Sequence, residues 1–276
     1  MTTPSLQTRN SHSSAIRSGY ILDTRIDASC YAEASRHILA WARARETRSV
    51  FCANVHMIME GFDHPSFREQ INAADLVTSD GMPLVWALRR LGIGEASRVY
   101  GPDLTASLLG HAEAEGLRVG FLGATPHTLA RLLDNVRARH PSLLVSFAFS
   151  PPFLMQSPEQ DASVIEKINS ARVQILFVGL GCPKQERWIS QHRDRLHCVA
   201  LAVGAAFDLL ARTKPRAPHW MQSSGLEWLF RLLTEPRRLW RRYLVANPRF
   251  MWHFALQLLA RKTPETHIQE IPRRLL

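Results

Sequence analysis

The chain has 276 residues, 46% of them hydrophobic, and a formal net charge of +10 at neutral pH. That length suits one substantial α/β domain with an appendage, and no window approaches the ~20 apolar residues that span a bilayer; the best, MWHFALQLLA, is half that length. Four widely spaced cysteines (Cys30, Cys52, Cys182 and Cys198) contain no C-x-x-C pair, which excludes a disulfide framework and a cysteine zinc site and points to a reducing compartment.

Residues 1–19 (MTTPSLQTRNSHSSAIRSG) are polar, rich in Ser and Thr and without an apolar core, so a disordered lead-in is expected. Residues 28–47 have helical spacing, with Ile38, Leu39 and Trp41 on one side, and SVFCANV reads as a short strand ending near Asn54. A helix is predicted over 65–73. A brief strand in ADLVTSDG then runs into a turn at Ser79-Asp80-Gly81, and Pro83 opens a helix over 83–91. After the loop SRVYGPDL comes a helix over 104–115. From there the pattern is rhythmic: the strand LRVGFLGA, then a helix over 127–139 with Thr125-Pro126 as cap and first turn. SLLVSFAFS and QILFVGLG read as strands and HCVALAVGAAFDLL as a strand running into a turn, separated by the helices SPEQDASVIEKINSA and PKQERWISQHRDR. Strands alternating with helices, with glycine at strand exits, predict parallel β/α units and a Rossmann-like sheet domain over residues 20–211.

Beyond Arg212 the alternation stops, and residues 212–276 read as a helical, Arg/Trp-rich appendage. They hold 13 Lys and Arg against 4 Asp and Glu, which is nine of the ten net charges. That asymmetry points to an anionic partner: a lipid surface, a nucleic acid or a diphosphate. Along GLEWLFRLLTEPRRLWRRYL, one side of a helical wheel collects Trp228, Leu229, Leu232, Leu233, Leu239, Trp240, Tyr243 and Leu244. The other collects Arg231, Arg237, Arg238, Arg241 and Arg242. Pro236 kinks or divides this helix, and Asn247-Pro248 reads as the cap and first turn of a second, over 248–262. Such a segment has the form of an interfacial membrane anchor; a helix packed on the domain with its arginines in water is the plainer alternative. No recognition module precedes the basic patch, so nucleic acid is not an expected partner.

In a doubly wound sheet, ligands sit beyond the carboxyl ends of the strands. Four such exits carry polar residues: Cys52-Ala53-Asn54, Ser79-Asp80-Gly81, Gly181 to Gln185, and Gly204 to Asp208. VGLGCPK offers Gly179 and Gly181, but Lys184 stands where a dinucleotide fingerprint needs its third glycine, and Walker A is absent. Neither a dehydrogenase nor a P-loop NTPase is expected. Asp80 can cap the helix over 83–91 or accept a proton from a substrate hydroxyl. His56 can be a base or a core histidine, and Asp208 a ribose contact or a helix cap. Without D-x-D, H-E-x-x-H or a His/Cys cluster, neither metal nor cofactor is expected. Arginine is then the counter-charge for a nucleotide diphosphate.

The phrases ADLVTSDGMPLV, SRVYGPDL, VGFLGATP, LGCPKQERWI, VGAAFDLLA, KPRAPHWMQSSGLEWLFRL and EPRRLWRRYL run in this order over residues 50–244. Together they resemble the WecG/TagA/CpsF family of bacterial glycosyltransferases. The resemblance implies an inverting, metal-independent transfer from a UDP-sugar donor to a polyprenyl-diphosphate-linked sugar acceptor, in cell-surface polysaccharide synthesis. It implies a peripheral enzyme on the cytoplasmic face of the bacterial inner membrane, in contact with the anionic membrane surface. The family's proposed base falls on Asp80, its glutamine on Gln185 and its loop arginine on Arg98. The appendage arginines that complete the site fall on Arg231, Arg238 and Arg241. Cys52, Asn54, Gly181, Lys184 and Asp208 join them as candidate substrate contacts, with Phe153 in the S-P-P-F turn as a stacking partner for uracil. Cys52-Ala53-Asn54-Val55-His56 stands where many members have Thr-x-Asn-x-Glu, and Ser79 replaces a frequent proline. The N-V-H-M and D-G-M-P wording looks nearer exopolysaccharide glucosyltransferases of the xanthan type than ManNAc transferases, so glucose and ManNAc-type donors both stand.

Overall fold

The computed structural model describes residues 16–151, 158–260 and 267–268. The chain opens with a hairpin, β1 (Arg17–Ile21) and β2 (Thr24–Asp27), followed by α1 (Tyr31–Arg43) and β3 (Arg48–Ala53). Then come α2 (Val55–Asp63), α3 (Pro65–Asn72), β4 (Leu76–Ser79), α4 (Met82–Arg90) and α5 (Gly101–Ala114). The second half holds β5 (Arg118–Gly123), α6 (Pro126–Arg139), β6 (Leu144–Phe149), α7 (Pro158–Ser170), β7 (Ile175–Gly179), α8 (Lys184–His192), β8 (Val199–Ala202) and α9 (Ala206–Leu210). Four helices come next, α10 (His219–Ser223), α11 (Glu227–Thr234), α12 (Pro236–Trp240) and α13 (Ala246–Ala260), and then β9 (His267–Ile268).

The strands form one sheet in the order β6-β5-β7-β8-β3-β4-β2-β1-β9. From β6 to β2 every pairing is parallel, while β1 runs antiparallel to both β2 and β9. The central strands ILFVG and VALA are apolar throughout because helices cover both faces. Along β3 the side chains alternate. Phe51 and Ala53 join the core beneath α2, α3, α4, α7, α8 and α13, and Val50 and Cys52 the core beneath α1, α5, α6 and α9. The chain leaves β3 toward the first layer and its neighbour β8 toward the second, so a crevice opens at their carboxyl ends. The Rossmann-like α/β fold thus agrees with the alternation read in the sequence. At the β5 exit, Gly123 has φ +126°, and a Cβ there would lie 2.6 Å from the carbonyl of Gly179 at the end of β7.

Three local departures have physical causes. VHMIMEGFD, which the sequence presents as the tail of a strand and a connection, is the helix α2. At nine residues directly after the apolar β3 it is too short for its helical period to stand apart, and the start is set by Asn54, whose Oδ1 accepts Met57 N–H. Strand β1 begins at Arg17, inside the segment expected to be a lead-in, because pairing with β2 and the Ser18 Oγ to Asp27 Oδ1 bond (2.6 Å) hold it. Asn247-Pro248 does not start a new helix. Pro236 separates α11 from α12 as expected, but from there the helix runs on to Ala260 through a wide π turn at Arg241–Val245. Pro248 offers no N–H to the Leu244 carbonyl and its ring crowds the preceding turn; the wide turn absorbs both defects.

The C-terminal helices are built into the domain. Phe250 and Phe254 of α13 stack 5.9 Å apart within the core under α2. Gln257 bonds the Tyr20 carbonyl and the Leu22 N–H of the hairpin, and Arg249 forks onto Asp63. Among the described residues, no helix is long and apolar enough to cross a membrane.

Candidate active site

Asp80 sits one residue past β4. Its N–H extends the ladder to Ala53 O at 2.8 Å, so the sheet fixes its backbone. Gly81, with no side-chain cap, starts α4. The Asp80 carboxylate caps a different helix: Oδ1 accepts Gly101 N–H, the first residue of α5, at 2.6 Å. Oδ2 has no hydrogen-bond partner among the described residues. Burial pushes the carboxyl up from 3.8 to about 6, against the pull of Arg98 and the Gly101 bond; Glu227 adds to the rise and Arg231 opposes it.

The loop before α5 is stitched across this carboxylate. Ser79 takes up Val99 N–H on its carbonyl, and its hydroxyl donates to Ser97 O. Arg98 Nε donates to the Asp80 carbonyl at 2.7 Å, its guanidinium lies 4.2 Å from the Tyr100 ring centroid, and its far end pairs with Glu227 of α11. Tyr100 hydroxyl also donates to Glu227, at 2.7 Å.

A cavity of about 620 Å³ lies between the sheet's carboxyl edge and the C-terminal helices. Asn54, His56, Asp80 and Arg98 line it from the sheet side, and Glu227, Trp228, Arg231, Arg242 and Tyr243 from the helices. Arg242 donates to Asn54 Oδ1 at 3.2 Å, and its buried Nε has no partner. Neither Arg231 nor Arg242 has a carboxylate partner among the described residues, and burial lowers the proton affinity of Arg242. Burial first, then Arg242, takes His56 down to about 4, so its ring is neutral. A second cavity, of about 370 Å³, shares Glu227 and Arg231 and contains Asp208, whose carboxylate holds Lys214 at 2.8 Å.

The remaining candidates divide by position. Cys52 is buried under α5, where burial raises its thiol strongly, and it does not line the cavity. Gln185 is 3% exposed and works on the backbone. Its Oε1 accepts Gly181 N–H and Gly204 N–H, both at 3.1 Å, and its Nε2 donates to Glu186. It ties the β7 exit to the β8 exit. Glu186, itself fully buried, is lifted to about 7 by desolvation. Lys184 is exposed at the start of α8. Phe153 lies outside the described residues.

The appendage arginines are not arranged as a single wheel would have them. Arg231 faces the cavity, but Arg238 and Arg241 are exposed, the first on Glu235 and the second over the Trp240 ring. The break at Pro236 and the π turn reset the register, and Arg242, three residues after the buried Leu239, turns inward instead. Arg242, Glu227 and Tyr100 join the site although the phrases that contain them (EPRRLWRRYL, KPRAPHWMQSSGLEWLFRL and SRVYGPDL) give them no role; for Arg242 the three-residue spacing from the buried Leu239 is a signal of its inward turn.

Replacing Gln185 by Leu strips an acceptor from two loop N–H groups and a partner from Glu186. The two N–H groups are half-buried and can turn to water, so the partner lost by buried Glu186 carries most of the cost; at about 1–3 kcal/mol for an unmet buried group, Gln185→Leu is expected to lower unfolding stability by roughly 2–4 kcal/mol in urea. A loss below about 1 kcal/mol would mean that the two exits are held by something else.

Comparison with known proteins places these features. The protein is 32% identical over 196 residues (71% of this chain, 74% of the relative) to an N-acetylglucosaminyldiphosphoundecaprenol N-acetyl-beta-D-mannosaminyltransferase of Bacillus spizizenii. It is 29% identical over 238 residues (85% and 91%) to an enzyme of the same name from Staphylococcus aureus. The model of the glycosyl transferase WecG/TagA/CpsF family matches residues 20–264, spanning strands β2 to β8, the Asp80 loop and the helical region that carries Arg231 and Arg242. The chain therefore belongs to the WecG/TagA/CpsF family of glycosyltransferases.

Proposed function

We propose that this glycosyltransferase moves a hexosyl group, with inversion, from a UDP-sugar to a sugar carried on a polyprenyl diphosphate. One observation carries the reading: a carboxylate with a free oxygen and a raised pKa opens into the same cavity as two guanidinia that lack a carboxylate partner. Unpaired half-buried cations are costly unless an anion completes them, and a sugar diphosphate supplies it. Asp80 Oδ2 takes the proton from the acceptor hydroxyl as its oxygen attacks the anomeric carbon. The bond from that carbon to the diphosphate oxygen breaks on the opposite face, and the electron pair leaves with UDP. A base near pKa 6 is mostly ionised at pH 7 yet still basic enough to share the proton in the transition state. Arg231 and Arg242 stabilise the charge gathering on the leaving diphosphate. Gln185 serves by holding the two loops beside the donor, and Asn54 presents its amide to the sugar.

The outer side of the C-terminal helices fits a peripheral position on the cytoplasmic face of the membrane. Leu233, Trp240, Leu244, Met251, Trp252 and Leu259 are exposed there beside Arg237, Arg238 and Arg241. For the substrates, the names of both relatives give an N-acetylmannosaminyl group and an N-acetylglucosaminyl-diphosphoundecaprenol acceptor; that pair comes first, with glucose as the other donor.

Calorimetric titration with UDP in EDTA is the direct test. Binding without divalent metal is expected, followed by turnover with UDP-N-acetylmannosamine or UDP-glucose on a short-chain acceptor. Binding that appears only with Mg²⁺ or Mn²⁺ would overturn the arginine-based site, and none under either condition the nucleotide donor itself.

A further inference from the structure

We propose that Glu227 is a positioning residue for the transfer: its carboxylate takes up the Arg98 guanidinium and the Tyr100 hydroxyl, locking the α11 helix to the Asp80 loop while offsetting part of the Arg98 charge that reaches Asp80. The inference rests on the base role of Asp80 set out above. It adds a residue to which neither the motif phrases nor the family resemblance gives a task.

The geometry joins three elements through one side chain. Glu227 Oε2 meets Arg98 at 2.5 Å and Oε1 meets the Tyr100 hydroxyl at 2.7 Å, and both ends of the ion pair are more than four-fifths buried. Arg98 passes the hold on to Asp80 through the 2.7 Å bond from Nε to the Asp80 carbonyl. Tyr100 directly precedes Gly101, whose N–H fixes Asp80 Oδ1. On the other side, Arg231 lies one helical turn after Glu227 on the same face of α11. Whatever fixes Glu227 therefore fixes the distance between the base and a guanidinium that serves the leaving group. With Arg98 engaged, the two arginines left open to an anion in the larger cavity are Arg231 and Arg242.

The same contact sets charge. Around Asp80 stand Arg98 and Tyr100 from the loop before α5, Tyr31 from α1 and Cys52 from β3. From the helical side come Glu227 and Arg231 on α11 and Arg242 in the π turn. Of the charged members, three are cations and one is an anion. Removing that anion exposes Asp80 to three unopposed positive charges and makes it a weaker base.

The test reads Asp80 directly in the full-length protein, by titrating its carboxyl with ¹³C NMR after aspartate labelling, with Asp80→Asn to assign the signal. In Glu227→Gln, which keeps the shape and one acceptor, the Asp80 midpoint is expected to move down by roughly one pH unit. Glu227→Asp keeps the charge but not the reach, so its midpoint should stay while turnover falls roughly tenfold or more. Should the Gln protein fail to fold, Arg98→Gln is the mirror: it leaves Glu227 unpaired and should move the midpoint up. A midpoint that stays put in the folded charge variants overturns the inference, whether or not sugar is transferred. Failure of the transferase reading shows separately, as absent turnover in the wild-type protein.

Discussion

An Asp80→Asn protein is expected to lose about 10²–10⁴-fold in turnover while binding UDP within a few fold of wild type. Asn can still accept the Gly101 N–H on its Oδ1, so the loop and the cavity keep their shape, and only the proton acceptor is gone. The wild-type kcat/KM should rise with pH through about 6, where the carboxyl ionises, and that limb should vanish in the variant. Stability should change the other way. The folded carboxyl holds its proton to about 6 against 3.8 for the ordinary group, so between those values the folded state binds more protons and stability falls as pH rises. At neutral pH the ionised group costs the fold as much as about 3 kcal/mol. The Asn protein escapes this, and its thermal advantage should widen from pH 4 to pH 7 and then level off. Retention of most turnover, with the pH limb intact, would remove Asp80 from the chemistry.

The second large effect is expected at the inward arginines. Arg231→Ala and Arg242→Ala should each cut kcat by about 10²–10³-fold, the usual cost of losing a donor to a charge that develops in the transition state. KM for the donor should change less, because the ground-state diphosphate keeps the other guanidinium. Arg238 and Arg241 provide the contrast. Both point to solvent, so alanine there should weaken binding to anionic vesicles while turnover on a water-soluble short-chain acceptor stays within about threefold; a surface cation near such a membrane contributes only about 1 kcal/mol. Equal losses at Arg231 and Arg238 on the soluble acceptor would mean that these arginines act through the membrane rather than on the leaving group.

These contrasts mark where the chain is readable. Regular β/α units announce themselves, since Thr125-Pro126 caps α6 as its residues suggest, through the bond from Thr128 N–H to Thr125 Oγ1, and QILFVGLG has the composition of a strand covered on both faces. Asp80 is visible as a polar residue at a strand exit, but the group its carboxylate holds is not. The two ends of that bond lie 21 residues apart, and no local pattern links them. Helix α2 is hidden because it has only nine residues and follows directly on the apolar strand β3, too short a window for its helical period to stand apart. The appendage misleads differently. A wheel assumes one uniform helix, whereas Pro236 and Pro248 impose a break and a wide turn, each rotating the residues beyond it. Glu227 falls inside a quoted phrase, but its role is hidden because an acidic residue in a basic helix reads as surface; its partners come from a loop about half the chain away.

The fastening of α13 to the opening hairpin bears on how the enzyme comes into being on the ribosome. Gln257 reaches Tyr20 across 237 residues, and Arg242 reaches Asn54 across 188. At about 5–20 residues per second, roughly ten to forty seconds of translation separate the emergence of Asn54 from that of Arg242. Throughout that interval a nascent sheet can carry Asp80 but not the guanidinia opposite it. The last of the described helices, α13, is also one that fills the core, with Phe250 and Phe254. The layer under α2 is therefore completed only once α13 has been made, and a chain stalled before Phe250 has Arg231 and Arg242 but lacks the two rings that fill the core behind them.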